Sequence, residues 1–202
     1  MESTRAPAFP VGKVMVLGHN FDSKKNYHIS LQKGSEDVKK NPTWRNLVQF
    51  LANVGIAPED IFFTNFFMGL IADRAKPIGN TGTFPGAHDA AFVQRCQGFF
   101  LKQVDLQQPR VILVLGLKVP KYLSNLARPL EPWSKAKTFA AIDPHLCLIR
   151  NVVFHGLAHP TTLAVLTHPS YRPRNVKYRS YAGLRGGSAE IRLIEDALSS
   201  TH

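Results

Sequence analysis

Cysteine is scarce in this chain, which has two cysteines in 202 residues. Cys96 and Cys147 each lie within an apolar stretch, which predicts buried thiols. Two thiolates cannot build a four-cysteine iron–sulfur cluster or a cysteine-based zinc site. The sequence also lacks a glycine-rich phosphate loop and a cluster of metal-binding carboxylates, so a nucleotide hydrolase has no support. Neither a metal nor an organic cofactor is predicted.

Long apolar runs are missing as well. The longest, such as Val111 to Leu117, are far shorter than the roughly 20 residues that a membrane span needs. Residues Met1 to Pro10 lack the charged and then apolar pattern of a signal peptide. We therefore expect a soluble, cytoplasmic protein with no membrane partner. Length and composition predict a single globular domain over residues 1–202, and we expect a monomer.

Acidic residues are few, because 14 Asp and Glu stand against 25 Lys and Arg, and the formal net charge is +11. A strongly basic chain favours a polyanionic partner, with nucleic acid the first candidate and an acidic membrane surface the second. Charge alone does not separate these two partners. The distinction has to come from the motifs.

Short apolar segments alternate with helical patterns along the chain. The patterns predict strands at 13–18, 61–65, 110–116, 147–154 and 162–167, and helices at about 42–54, 90–106, 118–126 and 189–198. Residues 71–87 and 131–144 have no such periodicity and are predicted to be surface loops. Continuous apolar strands that alternate with helices predict an α/β fold. We expect a three-layer α/β/α sandwich around a mainly parallel sheet of four to five strands.

Polar residues follow directly on three of the predicted strands. Residues 18–22 (Gly-His-Asn-Phe-Asp) follow the first strand, Asn65 ends the second, and His168, Pro169 and Ser170 follow the last. Ligands of parallel α/β sheets bind at the carboxyl ends of the strands. We therefore expect these side chains to form one site.

The order of these features resembles the uracil-DNA glycosylase superfamily. A strand ending in Gly-x-Asn, a mid-chain strand ending in Asn, a VILVLG strand and a late strand ending in His-Pro-Ser follow one another from about Lys13 to Arg174. The resemblance implies a monofunctional DNA glycosylase, which flips one base out of DNA and hydrolyses its N-glycosidic bond to leave an abasic site. DNA is then the partner. No lysine is placed as a nucleophile for strand cleavage.

The resemblance implies three catalytic residues. Asn20 matches an Asn that holds the attacking water in some branches of the superfamily. His168 matches a histidine that stabilises negative charge on the pyrimidine O2 as the base departs. Asp22, the only carboxylate in the first loop, is the water activator, a substrate contact or a helix-capping group. Whether Asn20 or Asp22 positions the water is left open.

Base-binding roles follow from the same resemblance. Asn65 matches the side chain that reads the Watson–Crick edge of a flipped pyrimidine, with capping of the next turn as the alternative. His19, in the first loop, is also expected to contact the base. Phe21, Tyr27 and Phe66 are candidate stacking partners for the extruded base, although most aromatic residues in a chain with 13 Phe belong to the core.

A basic segment follows the histidine, with two tyrosines and no acidic residue over 171–179. Tyr171 or Arg172 is the candidate wedge for the gap that a flipped base leaves in the stack. The predicted phosphate contacts are Ser170, Arg174, Lys177 and Arg179, with Arg74 and Lys76 gripping the other side of the lesion. A solvated basic loop is the alternative.

The first loop departs from the best-known branch, in which a tyrosine at the position of Asp22 blocks a pyrimidine C5 methyl group. Phe21 and Asp22 would leave that side of the pocket open, and the polar loop at 76–88 can line a wider pocket. We therefore favour a C5-modified pyrimidine, such as hydroxymethylcytosine or its glucosylated form in phage DNA, and an antiviral enzyme. A uracil-DNA glycosylase of base-excision repair and a catalytically silent DNA-binding module are the alternatives.

Overall fold

A computed structural model describes residues 11–21, 24–34, 40–69 and 84–199, with the backbone alone for residues 24–26. The main strands are β1 (Val14–Gly18), β2 (Ile61–Asn65), β3 (Val111–Leu115), β4 (Leu148–Val153) and β5 (Pro160–Leu166). They form one sheet in the order β2-β1-β3-β5-β4. Four strands are parallel, and β4 runs antiparallel to β5. The predicted mainly parallel sheet is confirmed.

Helices surround this sheet, as the α/β prediction required. They are α1 (Lys24–Lys33), α2 (Pro42–Ala52), α3 (Ala90–Gln107), α4 (Pro120–Leu123), α5 (Phe139–Ile142), α6 (Arg172–Asn175) and α7 (Gly186–Ser199). A small hairpin of β6 (Ser180–Tyr181) and β7 (Leu184–Arg185) precedes α7. Helix α7 packs on β5 and β4, and α2 packs against the 3-10 turn at Pro169–Tyr171.

Burial explains the positions of the strands. Every residue of β1 and β3 is buried, as expected for central strands whose two faces are both covered. The edge strand β4 exposes about half of its residues and pairs only with β5. The apolar runs at 14–17 and 111–115 were therefore clear strand signals, because both faces of these strands need apolar side chains.

Local capping fixes where the longer helices begin. Asn41 Oδ1 accepts a hydrogen bond from the Thr43 amide at 2.9 Å, and Pro42 occupies the first turn of α2. Asp89 Oδ1 likewise accepts from the Phe92 amide at 3.0 Å at the start of α3. The predicted start of this helix at about residue 42 is confirmed. Asp89 serves as a helix cap.

The loop predicted at 131–144 was wrong. A 3-10 segment at Arg128–Ser134 and helix α5 occupy this region. Trp133 is fully buried there, and its Nε1 donates to the Leu146 carbonyl at 2.9 Å. Helices this short show no measurable periodicity, so the sequence pattern missed them. The sequence analysis also missed α1 and the β6-β7 hairpin.

Both cysteines are buried and free, as predicted. Burial raises the pKa of the Cys147 thiol to about 11 and also raises the pKa of Cys96. Neither thiol belongs to the cavity described below. Across the described ranges, no helix has the length and hydropathy needed to cross a bilayer.

Candidate active site

A cavity of about 600 Å³ lies at the carboxyl ends of the four parallel strands β2, β1, β3 and β5. After β1 the chain continues to β2 on one side of the sheet, and after β3 it continues to β4 and β5 on the other side. The direction of the strand order therefore reverses between β1 and β3. Open α/β sheets bind ligands at such a switch point. The predicted site residues that line the cavity are His19, Asn20, Phe21, Tyr27, Asn65, His168, Ser170 and Tyr171. The cavity thus brings together residues that are up to about 150 positions apart in the sequence.

His168 begins the turn that follows β5, and its ring is held by Ser170. Nδ1 lies 2.9 Å from the Ser170 hydroxyl oxygen and 3.4 Å from the Ser170 amide nitrogen. An amide N–H can only donate, so Nδ1 acts as an acceptor. In the neutral ring the hydrogen is then on Nε2, which makes Nε2 the donor of this imidazole. Gly116 lies behind the ring at φ +80°, where an added Cβ would come within 3.2 Å of His168 Cβ.

Asn65 is placed by its register with Gly18. The two residues are direct partners in the parallel pairing of β1 and β2. A Cβ added to Gly18 would lie 2.3 Å from Asn65 Oδ1, so the amide occupies the space that any larger residue would need. Gly18 is therefore a packing requirement of the Asn65 side chain. The glycine that ends the β1 motif and the Asn that ends β2 form one unit.

Asn20 and His19 are adjacent in the first loop but have different environments. His19 is 6% exposed and is surrounded by the rings of Phe67, Phe84 and Tyr122. Its Nδ1 lies 3.4 Å from Asn20 Oδ1. The Nδ2 of Asn20 is buried and has no hydrogen-bond partner within the described ranges. A buried amide donor without a partner is costly, and a ligand or water in the cavity would satisfy it.

The pKa of His19 predicts a pH-dependent loss of stability. Burial lowers this pKa from 6.5 to about 4, so between these values the unfolded chain binds a proton that the native state does not. The free energy of unfolding should therefore fall as the pH drops from 6.5 towards 4, by up to about 3 kcal/mol from this residue. Urea unfolding at pH 7 and pH 4.5 measures it. His19→Gln should show a shallower pH dependence, and an unchanged one would contradict the assignment.

Aromatic rings form two separate groups around the site. Phe21 and Tyr27 pack edge to face with centroids 5.6 Å apart, and both line the cavity. The prediction that Phe66 stacks on the base was wrong, because Phe66 is fully buried and its ring stacks on that of Tyr122 with centroids 4.9 Å apart. Phe66 lies one residue beyond the end of β2 and does not line the cavity.

Two further rings line the cavity and were not predicted from the sequence. Trp44 on α2 and Phe63 on β2 pack edge to face at 5.2 Å, and both belong to the cavity wall. A signal for Phe63 was available, because it lies two residues before Asn65 and therefore on the same face of the strand. Trp44 lies in the first turn of α2, and residues 41–43 just before it also line the cavity.

The basic segment after His168 is divided between surface and interior. Tyr171 is 47% exposed, and Arg174 and Lys177 are exposed. The prediction that Arg179 contacts a DNA phosphate was wrong, because its side chain is 1% exposed and forms ion pairs with Asp143 and Glu190. No DNA phosphate can reach a guanidinium buried in this way.

The other candidate wedge is also held in place. Nε of Arg172 donates to Glu190 Oε2 at 3.0 Å, and its guanidinium lies 4.0 Å from the centre of the Phe50 ring. Tyr171 is the more accessible of the two candidates. Ser170, a predicted phosphate contact, directs both its hydroxyl and its amide at His168.

Three predicted site residues lie outside the described residues. They are Asp22 in the first loop and Arg74 and Lys76 in the long loop, most of which is also outside. Their roles stay predictions. Within the described ranges, no group of three or more His, Cys, Asp or Glu side chains is placed to hold a metal ion.

Comparison with known proteins identifies the family of this chain. The chain is similar to a type-4 uracil-DNA glycosylase of Archaeoglobus fulgidus, with 26% identity over 95 residues. This match covers 45% of the chain and 42% of the relative, so the chain spans less than half the length of the curated relative that it matches. A family model described as the uracil DNA glycosylase superfamily matches residues 14–184, from β1 to the β6-β7 hairpin. The chain therefore belongs to the uracil-DNA glycosylase superfamily.

Proposed function

We propose that this protein is a monofunctional DNA glycosylase, which flips a base from DNA into the cavity and hydrolyses its N-glycosidic bond. The observation that carries the proposal is that Asn20, Asn65 and His168 line one cavity at the carboxyl ends of three parallel strands. The superfamily match and the name of the archaeal relative support the same class of reaction. The net charge of +11 suits a polyanionic substrate.

His168 would stabilise the departing base. Cleavage of the bond develops negative charge on the base, and the Nε2 donor of a neutral His168 can hydrogen-bond to a pyrimidine O2. A donor held at that position stabilises the transition state more than the ground state, which is the condition for catalysis. The Ser170 contacts at Nδ1 fix the tautomer that this role needs.

Asn20 would hold the attacking water. Its Nδ2 has no protein partner in the described part of the chain, and its Oδ1 keeps a lone pair beyond the one that faces His19. An amide positions water but is a poor base, so the departing base must already be strongly stabilised by His168. Asp22, from the same loop, is the alternative water-activating group. Asn65 would read the base edge with its paired donor and acceptor.

We further propose that the base is a pyrimidine with a polar C5 substituent, such as hydroxymethylcytosine or its glucosylated form, in phage DNA. A cavity of about 600 Å³ is in the size range that holds a drug-sized ligand, and Asn41, Thr43 and Trp44 line it together with Asn65. These side chains offer polar groups and an aromatic face in addition to the Asn65 amide. An enzyme with this specificity would act in antiviral defence.

Uracil excision is the second candidate, and the name of the archaeal relative favours it. The parallel experiment offers duplexes that carry uracil, 5-hydroxymethylcytosine or glucosylated hydroxymethylcytosine and measures alkali-labile breaks. Breaks on either C5-modified duplex in excess of uracil support the proposed substrate, and breaks on uracil alone overturn it. DNA binding without base release from any of the three would leave a catalytically silent module. His168→Ala protein in each reaction controls for contaminating glycosylases.

A further inference from the structure

Four charged side chains form a buried cluster directly behind the His168 turn. Arg179 Nη2 lies 2.9 Å from Asp143 Oδ1, and its Nη1 lies 3.0 Å from Glu190 Oε1. Arg172 Nε pairs with the other oxygen of Glu190 at 3.0 Å. The cluster contains two positive and two negative side chains, so its formal charge is zero. Glu190 and Arg179 are almost completely buried. No group of this cluster lines the cavity of the site.

Glu190 is the member that connects the cluster to the turn. Its Oε1 accepts the backbone N–H of Thr167 at 2.5 Å, and Thr167 immediately precedes His168. Its Oε2 accepts from Arg172, which lies four residues after His168. One carboxylate therefore holds the chain on both sides of the histidine. Helix α7, which carries Glu190, packs on β5 and so holds this carboxylate in a fixed position.

The turn is held from the opposite side by α2. Asn46 Nδ2 donates to the Pro169 carbonyl at 3.2 Å, and the Arg172 guanidinium packs over the Phe50 ring. The short segment from Thr167 to Arg172 is thus fixed between two helices. Since the position of Nε2 follows from the backbone path of this segment, the orientation of the imidazole depends on both contacts.

We propose that Glu190 is a positioning residue of the active site, which sets the backbone through His168 and so aims Nε2 at the departing base. This inference rests on the proposed glycosylase function for its catalytic consequence. Stability alone does not call for a carboxylate here, because apolar replacements of buried ion pairs are often neutral or stabilising. A single acceptor that joins the end of β5, the His168 turn and Arg179 is instead suited to fixing geometry.

A matched pair of substitutions separates positioning from stability. Glu190→Gln and Asp143→Asn each change one carboxylate of the cluster to an amide, and each removes one negative charge beside Arg179. Only Glu190 contacts Thr167 and Arg172. We expect both variants to lose thermal stability, but only Glu190→Gln to lose kcat, by on the order of 10²-fold with little change in KM. Glu190→Asp keeps the charge but is one methylene shorter, and it should show the same kcat loss if Glu190→Gln does not fold.

A second readout does not depend on activity. The ¹⁵N chemical shifts of the His168 ring report its tautomer and surroundings in the DNA-free protein. We expect them to change in Glu190→Asp and to stay unchanged in Asp143→Asn. Unchanged shifts in Glu190→Asp, wild-type kcat in that variant, or an equal kcat loss in Asp143→Asn would each overturn the positioning role. If the wild-type protein releases no base, the glycosylase proposal fails, while the ring shifts still test the positioning claim.

Discussion

His168→Ala is expected to lower kcat by about 10²–10³-fold while the affinity for DNA stays close to that of the wild type. The ring lines the cavity, and the Ser170 contacts make Nε2 its donor. In the proposed mechanism, removing the ring removes a stabiliser of charge that exists only as the base departs, so we expect the loss to fall on the chemical step. Single-turnover base release and fluorescence anisotropy of labelled DNA measure the two quantities separately.

The matched variant for this test is His168→Gln, which keeps an amide donor near the same place. It should recover part of the rate that alanine loses, since a neutral donor is what the transition state needs. Ser170→Ala, which removes the hydroxyl contact to Nδ1 but keeps the ring, should have a smaller effect than either. A rate within a few-fold of wild type for His168→Ala would mean that the histidine only satisfies polar groups at the end of β5 and has no catalytic role.

The parts of the fold that could be predicted are those in which burial acts on a regular period. Strands β1 and β3 are covered on both faces, so their sequences are continuous apolar runs. Helix α2 begins with a capping Asn and a proline, which mark its start in the sequence. The segment with Trp133 was missed because its two helices are too short to show a helical period in the sequence. Their packing comes from tertiary contacts with distant residues.

The candidate site divides in the same way. Asn65 and His168 could be placed because parallel strands end at the same edge, so a position on a strand is also a position in space. Phe66 was assigned incorrectly, because its burial and its stacking on Tyr122 come from tertiary packing beyond the end of β2. Trp44 reaches the cavity through the packing of α2, a long-range contact that no local pattern encodes.

Arg179 shows why a basic segment cannot be read as a surface. In the sequence it continues the series of Arg174 and Lys177, and nothing nearby in the segment is acidic. Its partners, Asp143 and Glu190, are 36 and 11 residues away and meet it only after β5 and α7 have packed. Local charge therefore favoured DNA contact, whereas the fold uses this guanidinium inside the protein.

Arg179→Met is accordingly expected to destabilise the protein by about 3–5 kcal/mol, because it leaves buried carboxylates without their cation. Nη1 also donates to the Val165 carbonyl at 2.9 Å, and the guanidinium packs over Phe139 at 4.4 Å, so the loss extends from the end of β5 to α5. For a protein of this size, the midpoint of thermal unfolding should fall by on the order of 10 °C. Differential scanning calorimetry measures this change.

Lys177→Met is the matched control, since it removes a cation from the exposed part of the same segment. It should leave the unfolding midpoint unchanged, weaken DNA binding, and reduce the slope of log K against log salt by about 1 if its ammonium meets a phosphate. The folded fraction of Arg179→Met should keep the wild-type salt slope, because a buried guanidinium releases no counterion from DNA. A reduced slope with unchanged stability in Arg179→Met would return this residue to the DNA-binding surface and contradict the buried ion pairs.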